Sequence, residues 1–288
     1  MPSVKDLRDR IRSLKNTQQI TKAMKQVAAA KIRRAEMAQK QARPYAEALA
    51  QMLRDLMGAV SSVDHPFMKP GRVGAPIGVI LMTADKGLAG AFNSNVIRVA
   101  EQFRAAHPDA VFYTVGVKAR NALRRLGQAD HATWALNVPN KLVAAVQVSQ
   151  TVSDDFVAGK IGQIVLISSK LVSMLSQKPE TRPLVPIERV AAVAVGEKSA
   201  KGAVEFSPSP EFVLSRLLPK FLEFTIFSAM LETDAAFFAA QLIAMNNATD
   251  NAGKLIDGLT IEMNNARQAA ITKELLEIVG GAEALSGR

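Results

Sequence analysis

Cysteine is absent from this 288-residue chain, and only three histidines occur, His65, His107 and His131. Without thiols there is no disulfide scaffold, thiolate zinc site, cysteine nucleophile or thiol redox switch, which fits a reducing compartment. The histidines have no metal-ligand spacing and read as surface or packing residues. Aromatic residues make up only 5% of the chain, and residues 1–43 contain none, so that segment offers no stacking platform for bases. Long apolar runs are missing as well. Ile77–Met82 and residues 164–167 fall far short of the roughly 20 residues that cross a bilayer. The start, Met1-Pro2-Ser3-Val4-Lys5-Asp6, has no apolar h-region and meets acid at once, unlike a secretory signal or a transit peptide. A soluble or peripheral protein is expected. With 48% hydrophobic residues, it can bury a sizeable core in one large domain or two modest ones.

What is present is uneven charge. The net charge is +10, yet residues 1–57 carry 13 Lys/Arg against 5 Asp/Glu, whereas residues 209–288 carry 6 against 10. The basic head is suited to the acidic tail or to an acidic partner.

Residues 4–57 have no glycine and one proline, Pro44, and are rich in Ala, Gln, Lys, Arg and Met, all good helix formers. Val4, Leu7, Ile11 and Leu14 fall on one helical stripe. Such a helix would approach roughly 80 Å and must pack on something equally long; Pro44 is expected to kink or break it near Arg43. Residues 211–285 again read as helix, interrupted by Pro219, Gly253, Gly258 and Gly280-Gly281. Within them Ala252, Ile256, Leu259, Met263, Ala266 and Ala270 form a coiled-coil seam with several small members. Two such helices most simply pack as an antiparallel pair. The first seam falters after Leu14: its heptad continues at Gln18, Thr21 and Lys25, while the apolar residues move to Ile20, Met24 and Val27. Either the packing slips there, or this stretch turns a face toward a third body.

The middle changes period. Ile77–Met82, Val111–Val115 and residues 164–167 read as buried strands, alternating with helices over 95–105, 118–126 and 141–156. This predicts a small α/β part with a mostly parallel sheet, and residues 183–190, flanked by prolines, would add an edge strand. Residues 58–75 and 196–210 read as links. The domains expected are therefore 1–57 and 209–288, which form one coiled coil, and 76–195, a Rossmann-like α/β part.

Chemistry is sparse. The strand-to-helix turn Asp85-Lys86-Gly87-Leu88-Ala89-Gly90-Ala91-Phe92-Asn93-Ser94-Asn95 sits where α/β folds cradle phosphate, but it lacks the G-x-G-x-x-G and G-K-[S/T] spacings. Its glycines fit a tight turn, with Asn93 or Ser94 capping the helix. Asp154-Asp155 reads as a solvated face, and Ser168-Ser169-Lys170 follows a strand without a third catalytic group. No self-sufficient active site, metal site or cofactor site is expected. The basic first helix has the electrostatic footprint of nucleic-acid binding, though an acidic protein partner serves it equally well.

Three segments are recognisable together: Ile11-Arg12-Ser13 with the run from Asn16-Thr17-Gln18-Gln19-Ile20-Thr21-Lys22-Ala23-Met24-Lys25 to Lys31; the Asp85-Lys86-Gly87-Leu88-Ala89-Gly90-Ala91-Phe92-Asn93 turn; and Ala244-Met245-Asn246-Asn247-Ala248-Thr249-Asp250-Asn251-Ala252, continuing through Asn265-Ala266-Arg267-Gln268 to Gly280-Gly281-Ala282. In this order they resemble the gamma subunit of F-type ATP synthases of bacterial type, over essentially the whole chain. The resemblance implies a central stalk: a bent antiparallel coiled coil inside a ring of three alpha and three beta subunits, with the α/β part beside epsilon and the c-subunit ring. It implies no catalytic site of its own, no cofactor and no nucleic acid. It also implies peripheral attachment to the cytoplasmic side of the bacterial inner membrane through the complex. Proton-driven rotation would force the beta subunits through successive nucleotide states, and hydrolysis would drive the reverse.

By the same resemblance, Lys22, Met24 and Lys25 face an acidic lever on the beta subunit, and Arg267, Gln268 and Thr272 match a polar catch on it. Ile278, Val279, Ala282 and Leu285 match an apical bearing, and Lys86, Gly87, Phe206 and Ser207 face the c ring and epsilon. Lys25 stands where the family usually has an acidic residue. Where it commonly shows Ser-Glu-x-x-Ala-Arg-Met, this chain has Ala236-Phe237-Phe238-Ala239-Ala240-Gln241-Leu242, leaving two exposed phenylalanines in need of a partner. Ala89 replaces a common cysteine, and Ser207 a frequent glutamate. The alternatives are a coiled-coil nucleic-acid-binding protein and an α/β enzyme with helical arms.

Overall fold

The computed structural model describes residues 3–59, 65–187 and 209–286. In chain order the elements are α1 (Val4–Ala59), a 3₁₀ turn (Pro66–Met68), β1 (Ile77–Met82), α2 (Phe92–Ala106), β2 (Val111–Val115), α3 (Val117–Arg125), β3 (Asp130–Trp134), α4 (Lys141–Val157), β4 (Gln163–Ser173), β5 (Ser176–Val185) and α5 (Pro210–Ser286). They form two compact units, Met1–Ala28 with Leu242–Arg288, and Ala29–Gln241. The long terminal helices contribute to both.

In the first unit the two helices run antiparallel. A capping box opens α1: the Asp6 N–H donates to Ser3 Oγ at 3.2 Å and the Ser3 N–H to Asp6 Oδ2 at 3.1 Å. Leu7 and Ile11 of α1 and Met245, Ala252 and Ile256 of α5 are buried, and Leu259, Met263 and Ala266 are half-buried, so the predicted seam is present as far as Ala266, while its last expected member, Ala270, is exposed. The slip is not. Thr21 is buried and Gln18 half-buried, whereas Ile20 and Val27 remain 60% and 54% exposed. The heptad continues in register with polar side chains on it.

The second unit is built on a five-stranded sheet in the order β3-β2-β1-β4-β5. The pairs β1–β2, β1–β4 and β2–β3 are parallel and β4–β5 antiparallel. Alternate residues of the central strands bury opposite faces. Val79, Leu81 and Phe112 meet Val96 and Ala100 of α2 and Ala119 and Leu123 of α3. Ile80, Met82, Tyr113 and Leu166 meet α4 together with Leu53 and Leu56 of α1 and Leu214, Leu218 and Leu222 of α5. One stretch of α5 is apolar and long enough to cross a membrane by length and composition alone, but 67% of it is buried inside the protein, as befits a core helix.

Several boundaries differ from expectation. Helix α1 continues through Pro44 as one element. Packing on both sides of the proline, by buried Ile32 and Ala35 before it and by buried Leu49 and the Tyr45–Phe224 ring contact at 4.7 Å after it, outweighs the loss of one backbone hydrogen bond. Helix α5 likewise runs through Pro219 and its glycines. Strand β3 was not anticipated, and residues 183–185 are only the end of a longer β5; both strands lie at the sheet's edges, where Pro179 and Pro183 are tolerated. The rest of the expected edge strand, and the link at 196–208, extend outside the described residues.

Gly116 joins β2 to α3 with φ +103°, and a Cβ there would lie 2.1 Å from the Thr83 carbonyl oxygen. Gly116→Ala is therefore expected to destabilise the chain by about 3 kcal/mol or more, read as a lowered urea midpoint at unchanged slope.

Candidate functional site

Polar residues hold the helix pair of the first unit together from within. The Thr249 hydroxyl donates to Thr21 Oγ1 at 2.8 Å, and the Thr21 hydroxyl donates to the Gln18 carbonyl at 3.0 Å. Gln18 Nε2 donates to the Thr249 carbonyl at 3.4 Å and passes close to Gly253, where a Cβ would stand 3.1 Å away. Lys25 Nζ donates to Asn246 Oδ1, and Asn246 Nδ2 donates to Asp250 Oδ2 at 3.0 Å. With Gln18, Thr21 and Thr249 satisfied within the pair and Lys25, Asn246 and Asp250 bonded at its exposed edge, the apolar Ile20 and Val27 are left on the outside.

Of the residues singled out in the sequence, Lys22 and Lys25 are exposed and Met24 is half-buried. Arg267, Gln268 and Thr272 are exposed on α5, with the Thr272 hydroxyl donating to the Gln268 carbonyl at 3.0 Å. These two groups are not brought together. The level of Lys25 is marked by its partner Asn246, and Thr272 lies 26 residues further along α5, roughly 40 Å at helical rise. From Arg267 to Ala282 every side chain is exposed. There Leu275, Ile278, Val279 and Ala282 share one stripe at 57%, 68% and 60% exposure for the first three. Phe206, Ser207 and the side chain of Leu285 lie outside the described residues.

In the second unit Lys86 is exposed and Gly87 half-buried, in a turn whose two left-handed residues are Leu88 at φ 61° and Gly90 at φ 57°. Asn93 does not cap α2. Its Oδ1 accepts from the Ala84 N–H at 3.0 Å and its Nδ2 donates to the Lys86 carbonyl at 3.1 Å, tying the turn to itself. The anion-receptive groups beside it are already taken. Asp85 Oδ1 accepts from the N–H groups of Val117 and Leu136 at 2.9 and 3.3 Å, and Oδ2 from Asn137 at 2.7 Å. The protein's own carboxylate thus stands where a phosphate would seek these donors.

The crevice beyond the carboxyl ends of β1 and β4, where the strand order reverses, is where open α/β sheets bind ligands. Here α5 fills it. Ala235, Ala236, Phe237, Phe238, Ala239 and Ala240 pack with Ile32, Ala84, Ala89 and Phe92 in one buried cluster. The phenylalanines expected to be exposed are 4% and 8% accessible; Phe237 meets Phe92 edge to face at 5.8 Å, and Lys31 Nζ stands 5.2 Å from the Phe238 ring centre. Asp234 Oδ2 pairs with Lys141 Nζ at 3.1 Å, both side chains largely buried. Burial pushes the Asp234 carboxyl above its ordinary value, against the opposing pull of Lys141 and Lys31.

Two sequence expectations about catalytic candidates do not hold. Ser168, Ser169 and Lys170 lie inside β4, paired with Glu180, Pro179 and Lys178 of β5, and both serines are buried. Asp155 is 5% exposed instead of solvated. Its Oδ2 accepts from the Tyr113 hydroxyl at 2.8 Å and lies 2.9 Å from His131 Nε2, and its Oδ1 accepts from Lys160 Nζ at 2.7 Å. Burial pushes the Tyr113 hydroxyl far up. For Asp155, burial acts to raise the carboxyl, but the bonds from Lys160 and Tyr113 and the nearby His131 outweigh it and hold it below its ordinary value.

Fold and surfaces together define a protein of two long paired helices and a small α/β part, with a mainly apolar seam in the first unit that also holds a few polar residues. The family model described as ATP synthase matches residues 3–285. ATP synthase gamma chains are full-length relatives: that of Heliobacterium modesticaldum is 41% identical over 290 residues, covering 99% of this chain and all of the relative, and that of Phenylobacterium zucineum is 43% identical over 295 residues with the same coverage. The chain belongs to the ATP synthase gamma chain family. Its fold is shared with a chain of the Euglena gracilis mitochondrial ATP synthase (OSCP, F1 and c ring) at a TM-score of 0.67 and 18% identity, covering 98% of this chain and 94% of that one. It is shared too with a chain of the Tetrahymena thermophila mitochondrial ATP synthase central stalk and c ring, at 0.59 and 21%, covering 80% and 99%.

Because the folded Asp155 carboxyl sits below its ordinary value of 3.8, its contribution is complete above that pH and is lost as pH falls through the lower folded value. Asp155→Asn is expected to cost about 2 kcal/mol near neutrality. Urea unfolding at several pH values should show the difference from the parent chain shrinking below that ordinary value.

Proposed function

We propose that this chain is the central rotary stalk of a bacterial F-type ATP synthase. It couples proton-driven rotation of a c ring to successive conformations of three catalytic beta subunits, and runs in reverse on hydrolysis. Full-length similarity to ATP synthase gamma chains carries this reading, and it favours the stalk over the nucleic-acid alternative. The stalk makes no bonds to nucleotide itself. In support, the N–H groups beside the first strand-to-helix turn are occupied by Asp85, and the sheet's ligand crevice is filled by α5.

The partners are three alpha and three beta subunits, epsilon and the c ring, and the chain reaches the cytoplasmic face of the inner membrane only through them. Residues 1–57 and 209–288 serve as the stalk, and 76–195 as the α/β part. The stripe of Leu275, Ile278, Val279 and Ala282, exposed at the end of α5, suits an apolar bearing, with Leu285 continuing it. Lys22, Met24 and Lys25, with Ile20 and Val27 beside them, make one contact face toward a beta subunit. Arg267, Gln268 and Thr272 make a second, well separated along the axis, so the stalk engages the ring at more than one height. Lys86, Gly87, Phe206 and Ser207 face the c ring and epsilon.

Arg267→Ala and Gln268→Ala alter exposed side chains, and the isolated chain should unfold within about 0.5 kcal/mol of the parent. In the assembled complex both are expected to lower ATP synthesis and hydrolysis. Unchanged turnover in both variants would remove the catch assignment.

A further inference from the structure

The second unit contains a buried group of charges that the stalk reading leaves without a task. Asp234 of α5 stands between Lys141, the first residue of α4, at 3.1 Å and the charge of Lys31 on α1, with the Asp85 carboxylate also within electrostatic reach. Asp85 is held by three backbone N–H groups, which leaves the two lysines to balance Asp234. Around this group α5 meets the α/β part through the apolar Phe92, Phe237, Ala84 and Ala89 and, two residues earlier on α5, through the Glu232 carboxylate, which accepts from the Leu171 N–H and lies near Lys170 and Arg182. Apolar contacts are non-directional, so close packing holds α5 against the α/β part but defines its angle less sharply than a directional bond would. A charge-assisted hydrogen bond between largely buried partners is directional. Displacing it leaves two charges in a poorly solvated place without compensation.

We propose that Asp234 is a positioning residue that fixes the rotational setting of α5 on the α/β part through Lys141, so that torque passes between them without slip. This rests on the stalk reading. The carboxylate is held by the first residue of a helix of the α/β part, so turning α5 about its own axis breaks that contact. The aromatic neighbours fill space; the ion pair sets the angle.

The test compares Asp234→Asn, Lys141→Met and the double variant Asp234→Leu/Lys141→Met, in the full chain and in the assembled complex in inverted vesicles. Two rates are measured: ATP hydrolysis with the proton gradient collapsed, when the rotor turns without load, and ATP synthesis driven by the gradient, when it turns under load. The single variants should keep unloaded hydrolysis within about twofold and lose about tenfold in synthesis. The double variant, which replaces a buried pair by apolar side chains, should regain the thermal stability of the parent chain and still fail to recover synthesis. Recovery of synthesis along with stability, or an equal fall in both rates, would make the pair merely structural and overturn the proposal. Should the parent chain itself support neither rate in the complex, the stalk reading falls instead and takes this inference with it.

Discussion

One antiparallel offset between α1 and α5 governs the rest of the molecule. The facing pairs Thr21–Thr249 and Lys25–Asn246 in the first unit, and Lys31–Phe238 and Tyr45–Phe224 in the second, have residue numbers that add to between 269 and 271. With α1 beginning at Val4 and α5 running to Ser286, this offset leaves everything after about Ala266 without a helix opposite. A lone helix of that length, at roughly 1.5 Å per residue, is marginal in water and is ordinarily stabilised by packing. Its exposed apolar stripe is therefore a surface that a partner must cover, and the offset decides which residues compose it.

The polar layers in the first unit follow from the same offset. A residue on the seam must be apolar or must find a partner inside it. Gln18, Thr21 and Lys25 find theirs on Thr249 and Asn246, and Gly253 leaves room for the long Gln18 side chain. Polar groups at seam positions generally lower stability and raise specificity of pairing. Here they also free the apolar Ile20 and Val27 for the outer surface. The pair is held mainly by apolar contacts and hydrogen bonds, one of them from the Lys25 ammonium, and Lys22 remains exposed.

Features with a long-range signature in composition were legible in the sequence. The seams of α1 and α5 repeat over several turns, and β1, β2 and the first half of β4 are near-continuous apolar runs because parallel central strands are covered on both faces. Strand β3 and all but the end of β5 escaped because an edge strand has one hydrogen-bonding side free and tolerates the prolines and charges of Ser176–Val185. The supposed slip after Leu14 was read from hydropathy alone, which cannot register that a threonine and a glutamine bond across the seam. Asp155 was invisible for a related reason: its partners Tyr113 and His131 are brought to it only by the sheet. For Phe237 and Phe238 the sequence supplied the need for a partner but not its identity, since Phe92 is distant in the chain and reaches them through the turn after β1.

The filled crevice separates this protein from enzymes that share its sheet. A parallel sheet with a reversal in strand order presents a concave site at the carboxyl ends of its strands, and fold alone does not decide what enters it. In this chain a small-residue stretch of α5, Ala235 and Ala236 with Ala239 and Ala240, allows the helix backbone to approach, while Phe237 and Phe238 fill the volume that a ligand would take. Asp85 meanwhile satisfies the donors that an anion would use. The binding free energy that a related fold would direct to a ligand is here directed to a helix of the same chain. A helix seated in that way, unlike a ligand, is covalently continuous with the rest of the protein, so whatever displaces the α/β part must also act on α5.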